Sequence, residues 1–254
     1  MRAGISEFGG RRPPDPSVVG AVSDGTLSPS IKEEAALPEH HGAMLAEMGR
    51  LGVPLKPGFC IRADCIASKP DSVELWEALE PAIVRLGRAT SRAWGSQHRP
   101  LLMSVSASGE MPGCVVYLGL NDSIVEAQAA LEGAHFAWDS YRELILSYSS
   151  VVRGLDMGPF EGRLRELLDR LDAKCQLGRR HSTCDVPSAD LKLLVASYKG
   201  LYAQQTGQDF PQDPSALLLD ALRALCGTGP GQAGVVQAMA FGNYDATSGT
   251  GWAL

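Results

Sequence analysis

Three stripes of apolar residues at helical spacing fill the middle of this chain, with short strand-like runs before and after them. Phe160, Leu164, Leu167, Leu168 and Leu171 recur at the period that puts side chains on one face of a helix. Leu191, Leu194, Val195, Tyr198, Leu201 and Tyr202 make a second such face, with Ser188 as its expected cap. A third helix is expected to open at Asp213-Pro214, where aspartate suits the cap and proline the first turn. It carries Leu218, Leu219, Leu222 and Leu225 and stops at Gly227. The order of strands, a helical insert over about 122–227, and strands again implies an α/β (α+β) fold.

Ahead of the insert, Gly42 to Arg50 reads as a short helix with Met44, Leu45 and Met48 on one face. The turn-rich connector from Gly52 to Gly58 feeds a strand over Phe59–Arg62. Ser72 is the expected cap of a helix carrying Val73, Leu75, Trp76 and Leu79, which Pro81 should end or kink. Strands are expected at Leu101–Val105 and Val115–Leu118, joined by the glycine-containing loop from Ser106 to Gly113. After the insert, the apolar run from Val235 reads as a strand entering a glycine-rich turn, and a further strand begins where the sequence stops. A domain that stops there reads as cut short, and edges left by missing strands call for a second copy or a protein partner to cover them.

Composition narrows the function classes. A chain of 254 residues with 44% apolar and 20% charged residues can bury a sizeable core. A net charge of −6 without a long basic run excludes the electrostatic footprint of a nucleic-acid binder. No stretch approaches the ~18 uninterrupted apolar residues of a bilayer span, which points away from a membrane. Cys60, Cys65, Cys114, Cys175, Cys184 and Cys226 contain no Cys-x-x-Cys pair and read as reduced, buried thiols. His181 with Cys175 and Cys184 lacks the second knuckle of a zinc site, so no metal ligand is assigned. Residues 1–37, rich in Pro, Gly and Ser around Arg11-Arg-Pro-Pro-Asp-Pro16, are expected to be a disordered leader, with the ordered domain over 38–254. The leader's arginines and serines suit an organellar transit peptide, whereas Glu7, Asp15 and Asp24 do not, which leaves cytoplasm and plastid both open.

Several blocks resemble, in order, the N-terminal nucleotide-binding region of the pyruvate phosphate dikinase family, a relative of phosphoenolpyruvate synthase. They are Gly42-Ala-Met-Leu-Ala-Glu-Met48, Gly52-Val-Pro-Leu-Lys-Pro-Gly-Phe59, Pro100-Leu-Leu-Met-Ser-Val105, Met111-Pro-Gly113 and Leu118-Gly-Leu-Asn-Asp122. Phe136-Ala-Trp-Asp-Ser-Tyr-Arg142, Asp190-Leu-Lys192, Phe210-Pro-Gln-Asp-Pro214, Val236-Gln-Ala-Met239 and Ser248-Gly-Thr-Gly251 continue the series. The resemblance implies a partial ATP-grasp-like domain that takes ATP and Mg²⁺. In the family, a phosphoryl group passes to a histidine on a swivelling domain and then to pyruvate, giving phosphoenolpyruvate. It further implies phosphate contacts at Gly109, Met111 and Gly113, since a glycine-rich loop can turn backbone N–H groups toward phosphate oxygens. Gln237 and Met239 fall on the strand that lines the adenine pocket in the family.

The departures from the family pattern bear on chemistry. The family lysine before the first helix is His41 here, and a neutral imidazole does not replace an ammonium beside a triphosphate. The family's Val-Arg-Ser-Gly becomes Val105-Ser-Ala-Ser-Gly109, without the phosphate-contacting arginine. A segment with a Tyr-Arg-Arg motif is replaced by Cys226-Gly-Thr-Gly-Pro-Gly-Gln232, and the acids that hold magnesium in the family, which come after the counterpart of Gly251, have no match in this sequence. Phosphoryl transfer rests on charge stabilisation by metal and cations, so no catalytic residue is assigned and turnover by this chain is not expected. Glu39 with His40-His41, Ser106 and Ser108, and the acids Asp122, Glu126 and Asp139 form no catalytic motif. Three expectations follow: an ATP-binding portion of such a phosphotransferase without turnover, a degenerate scaffold that binds partners, or an incomplete gene model of a full dikinase.

Overall fold

A computed structural model describes residues 5–8, 45, 48, 51–53, 55–69, 71–107, 115–175, 183–226 and 233–241. Five strands form one sheet: β1 (Ile5–Phe8), β2 (Gly58–Arg62), β3 (Met103–Ala107), β4 (Val115–Leu118) and β5 (Ala233–Ala238). Their order is β1-β2-β5-β3-β4 and every pairing is antiparallel. The last strand thus lies at the centre, between β2 and β3, although the whole helical stretch separates it from both.

The helices are α1 (Ala63–Ala67), α2 (Ser72–Thr90), α3 (Asp122–Glu132), α4 (Ala134–Ser147), α5 (Gly158–Cys175), α6 (Ser188–Thr206) and α7 (Pro214–Cys226). A π-helical turn over Tyr148–Val152 follows α4 directly. The alternation of the strands decides where the helices go. Phe59, Val236, Val105 and Val116 form one row across the sheet, and Ala238, Met103 and Leu118 form another, all buried. Onto this apolar face α7 lays Leu217, Leu218, Leu222 and Leu225, while α2 adds Leu75, Leu79, Ile83 and Leu86. Helices α4 and α6 pack behind them through Tyr141, Leu144, Ile145, Leu194 and Tyr198. Tyr148, Tyr202 and Phe210 close the aromatic centre, with ring centroids 5.1–6.5 Å apart.

Several expectations need correction. Ile5–Phe8, inside the segment expected to be disordered, pairs with β2, whose outer row of N–H and C=O groups would otherwise be an open template. Asp71, not Ser72, caps α2, its carboxylate accepting from the Val73 N–H at 2.8 Å. That helix also runs through Pro81 to Thr90. The proline sits on the exposed side, where water can serve the carbonyl it leaves unpaired, and burial of Ala82, Ile83 and Leu86 outweighs the lost bond. Pro187 rather than Ser188 precedes α6 and supplies no side-chain cap. β3 starts at Met103, two residues later than expected, because Leu101 turns back to pair its N–H with the Ala93 carbonyl. Leu45 is buried and helical, but Met48, expected on the same face, is exposed, as is Val73. Of the thiols, Cys60, Cys65 and Cys226 are buried, and burial pushes Cys226 up to about 12, whereas Cys184 is exposed.

No helix among the described residues is long and apolar enough to cross a membrane. At the outer edge of β4 the chain covers itself: the Tyr117 N–H donates to the Ser147 hydroxyl at 3.1 Å, and α4 lies alongside.

Candidate functional site

The second face of the sheet carries Gln237, one of the residues expected at the site. Side chains of directly paired residues share a face, so Cys60, Val235, Ser106 and Val115 form one row and Gly58, Gln237, Ser104 and Tyr117 the next. Cys60 and Val235 are closed over by Leu45 and Leu55. Toward β3 and β4, Ser104, Ser106, Val115, Tyr117 and Gln237 are half-buried. The result is a shallow floor with two hydroxyls, one amide and one phenol.

Gln237 donates through Nε2 to the Lys56 carbonyl at 3.4 Å, which turns the amide toward β2. Tyr117 is held protonated, its pKa raised by burial first and by the nearby Glu143 carboxylate second. Met239 lies one residue past β5, half-buried against the helix-side core, and its N–H donates to the Leu102 carbonyl at 3.0 Å. Gln237 is therefore on the open face and Met239 at its rim. The other sequence-expected contacts, Gly109, Met111 and Gly113, lie outside the described residues, as do His41 and Ser108. Ser106 is described and stands on the open face. Among the described residues no group of three His, Cys, Asp or Glu side chains could hold a metal ion.

No family model matches the chain. It is 35% identical over 237 residues to pyruvate, phosphate dikinase 1, chloroplastic, of Arabidopsis thaliana, covering 83% of this chain and 24% of that protein. It is 37% identical over 243 residues to pyruvate, phosphate dikinase of Rhizobium meliloti, covering 84% of this chain and 26% of that protein. This chain is a divergent, partial member of the pyruvate phosphate dikinase family. It spans about a quarter of the length of the curated relatives it matches.

Three of the dikinase-like motif blocks meet at one place, away from the open face. Asn121, from the block ending β4, caps α3 by accepting from the Ser123 and Ile124 N–H groups at 3.1 and 2.9 Å. Its Nδ2 donates to the Gln212 carbonyl at 3.0 Å, and Gln212 Oε1 accepts from the Asp122 N–H at 2.9 Å. Tyr141, from the Phe-Ala-Trp-Asp-Ser-Tyr-Arg block, donates to Asp122 Oδ1 at 2.9 Å, and Lys199 reaches Asp122 Oδ2 at 2.6 Å. These blocks act as a clasp between the end of β4 and the approach to α7. The acids that formed no motif in sequence are thereby explained: Asp122 pairs with Lys199, Glu126 with Lys192, and Asp139 with Arg142. Asn121→Ala removes a cap and a cross-link together. It should cost about 1–2 kcal/mol, read as a lower urea midpoint with an unchanged slope.

Sequence reasoning missed Tyr117, Glu143 and Ser147. The alternation Val115-Val-Tyr-Leu118 marks Tyr117 as facing away from the apolar side. Nothing local signals that Glu143 and Ser147 come beside it, because α4 reaches β4 through tertiary packing.

Proposed function

We propose that this chain is an adenine-nucleotide-binding portion of a pyruvate phosphate dikinase-type phosphotransferase, of ATP-grasp-like architecture, and that it holds the nucleotide without transferring a phosphoryl group. The observation that carries the binding half is the match to dikinases over more than four-fifths of the chain. The sheet is compatible with it. The chain leaves β3 at Ala107 and enters β4 at Val115, beside Ser106, whereas Met239 lies at the other end of β3 beside Leu102. The length of β3 puts about 14 Å between these ends, at ~3.4 Å per residue. A nucleotide lying along β3 has its base near Gln237 and Met239 and its phosphates toward the Ala107 end of the strand, after which Gly109 and Gly113 follow in sequence.

The described residues do not fit the magnesium triphosphate that the family implies. The described residues offer no metal cluster, and β3, β4 and β5 carry neither lysine nor arginine. Transfer of a phosphoryl group needs such charges, so no step is assigned. Plastid and cytoplasm both accommodate this reading, since relatives named chloroplastic stand beside a bacterial one.

The test is a melting curve of the recombinant chain with and without millimolar Mg-ATP. Ligand at about 100 times its Kd stabilises by about 2.7 kcal/mol, a rise of roughly 5–10 °C at this size. A rise of that order supports the binding reading. A cooperative melt with no rise overturns it in favour of a lobe retained as a protein-interaction scaffold, the reading that the lack of lysine and arginine in β3, β4 and β5 favours.

A further inference from the structure

We propose that the outer edge of β2 is a strand-docking site that takes Ile5–Phe8 from a second copy of this chain in place of its own, so that two chains pair by exchanging β1. The proposal stands apart from the nucleotide reading, and neither depends on the other.

The argument begins with the place of β1 in the sheet. It is the terminal strand of the order β1-β2-β5-β3-β4, and its ladder runs to β2. Ile5 stands opposite Ile61, Ser6 opposite Cys60, Glu7 opposite Phe59 and Phe8 opposite Gly58. The pairings of β2 with β5, β5 with β3 and β3 with β4 do not pass through it, so β1 can leave without opening the rest. β2 itself is fixed from both faces. Phe59 and Ile61 are buried in the helix-side core, and Cys60 packs with Leu45, Leu55 and Val235 on the other face. When β1 departs, β2 therefore stays in place with a row of unpaired N–H and C=O groups. Such a row accepts an extended segment in register, and the segment already shown to fit it is Ile5–Phe8.

The connection between the two strands favours a second copy as the source. A hairpin joins two such strands through ~2–5 residues, whereas about 50 lie between Phe8 and Gly58, which stand opposite each other in the ladder. The chance that two ends meet falls as the 3/2 power of the length between them. Relative to a loop of about four residues, the local concentration of the chain's own β1 is lower by roughly 40-fold. That takes it from the millimolar range of a short connection to the order of 0.1 mM. A second chain at that concentration supplies β1 equally well. Each β2 regains the same ladder in the exchanged pair, so no backbone pairing is lost. The first exchange also tethers the two chains, which makes the second one intramolecular and closes a symmetric dimer.

The experiment is sedimentation velocity of the full chain across this range, with two sets of variants. The wild type should be monomeric at low micromolar concentration, dimeric at millimolar concentration and half converted near about 0.1 mM. Ser6→Pro combined with Glu7→Pro removes two successive N–H groups, one of which faces β2, because alternate residues of a strand point toward the partner. This variant should stay monomeric throughout while its melt remains cooperative. The crossing itself is read with Ser6→Cys. Directly opposed residues of antiparallel strands have Cα atoms ~4.5–5.5 Å apart, a span that a disulfide bridges. On oxidation the introduced thiol should couple to Cys60, and Cys60→Ala in the same chain should abolish the product. A non-reducing gel should show a covalent dimer at high concentration and a covalently closed monomer at low concentration. A wild type that is monomeric at every concentration, with coupling only within one chain, overturns the proposal and leaves the edge to its own strand. A dimer that persists in the double proline variant overturns it as well, since that dimer is held elsewhere.

Discussion

Arg142→Met should cost about 3–5 kcal/mol, the penalty of leaving one partner of a buried ion pair behind. Arg142 is 2% exposed in the middle of α4, and its guanidinium donates to Asp139 Oδ1 through Nε at 3.0 Å and Nη2 at 2.7 Å. Asp139 is 4% exposed, so it cannot turn to water when the arginine is gone. Burial opposes the charge on Arg142, but Glu143 and Asp139 outweigh it and hold the guanidinium above its usual value. Glu143 is exposed enough to rehydrate on its own. The loss is therefore assigned to Asp139, and the double variant Arg142→Met with Asp139→Leu should recover most of it. Urea denaturation of both single variants and the pair, read as a double-mutant cycle, checks this. If the double variant is no more stable than Arg142→Met alone, the Asp139 assignment is wrong.

That pair also shows what was legible in the sequence. Asp139 and Arg142 stand three apart on a helix, a spacing that brings side chains together. Periodicity cannot say that both are buried, because burial is decided by α6 lying across α4. The reverse holds for α5 and α6, whose stripes are legible from spacing alone, since each buries one face against a core and leaves the other wet, while α7, equally periodic, has no exposed residue. The cap of α7 was equally legible: Asp213 accepts from the Ser215 N–H at 2.9 Å as the Asp-Pro signal implies. Where Pro81 was read as a stop or kink, a local rule met a longer apolar stripe, and the stripe prevailed.

For the candidate site, the sequence carried the strands and hid their neighbours. The run from Val235 reads as a strand, but its place between β2 and β3 follows from pairings with residues more than a hundred positions away. Only that placement puts Gln237 in a row with Ser104 and Tyr117. The dikinase-like blocks were legible as blocks, yet their chemistry was not. Asn121, Asp122, Tyr141 and Gln212 belong to a clasp that fastens helices to the sheet. A motif shared with enzymes is here explained by hydrogen bonds within the fold.

Gly119→Ala should be the other severe single change, and a neighbouring glycine provides its control. Gly119 follows β4 with φ +113°, a conformation that L side chains rarely adopt. An added Cβ would lie 2.5 Å from the Leu101 carbonyl oxygen and 3.2 Å from the Leu102 Cα, and neither backbone atom can move without dragging β3. Strain at such a position costs about 1–3 kcal/mol, and overpacking adds about 1–3 kcal/mol. The expected total is about 2–6 kcal/mol, a large share of the 5–15 kcal/mol typical of a whole domain. Gly133, between α3 and α4, has φ +107° but nothing within 4 Å of an added Cβ. Gly133→Ala therefore carries the strain alone, about 1–3 kcal/mol, and the difference between the two variants isolates the collision. Equal urea midpoints for the two would mean that the chain does not pass so close to Leu101 after β4. A lower midpoint for Gly119→Ala places the tight crossing at the root of the clasp, where Leu120 is buried and Asn121 begins α3.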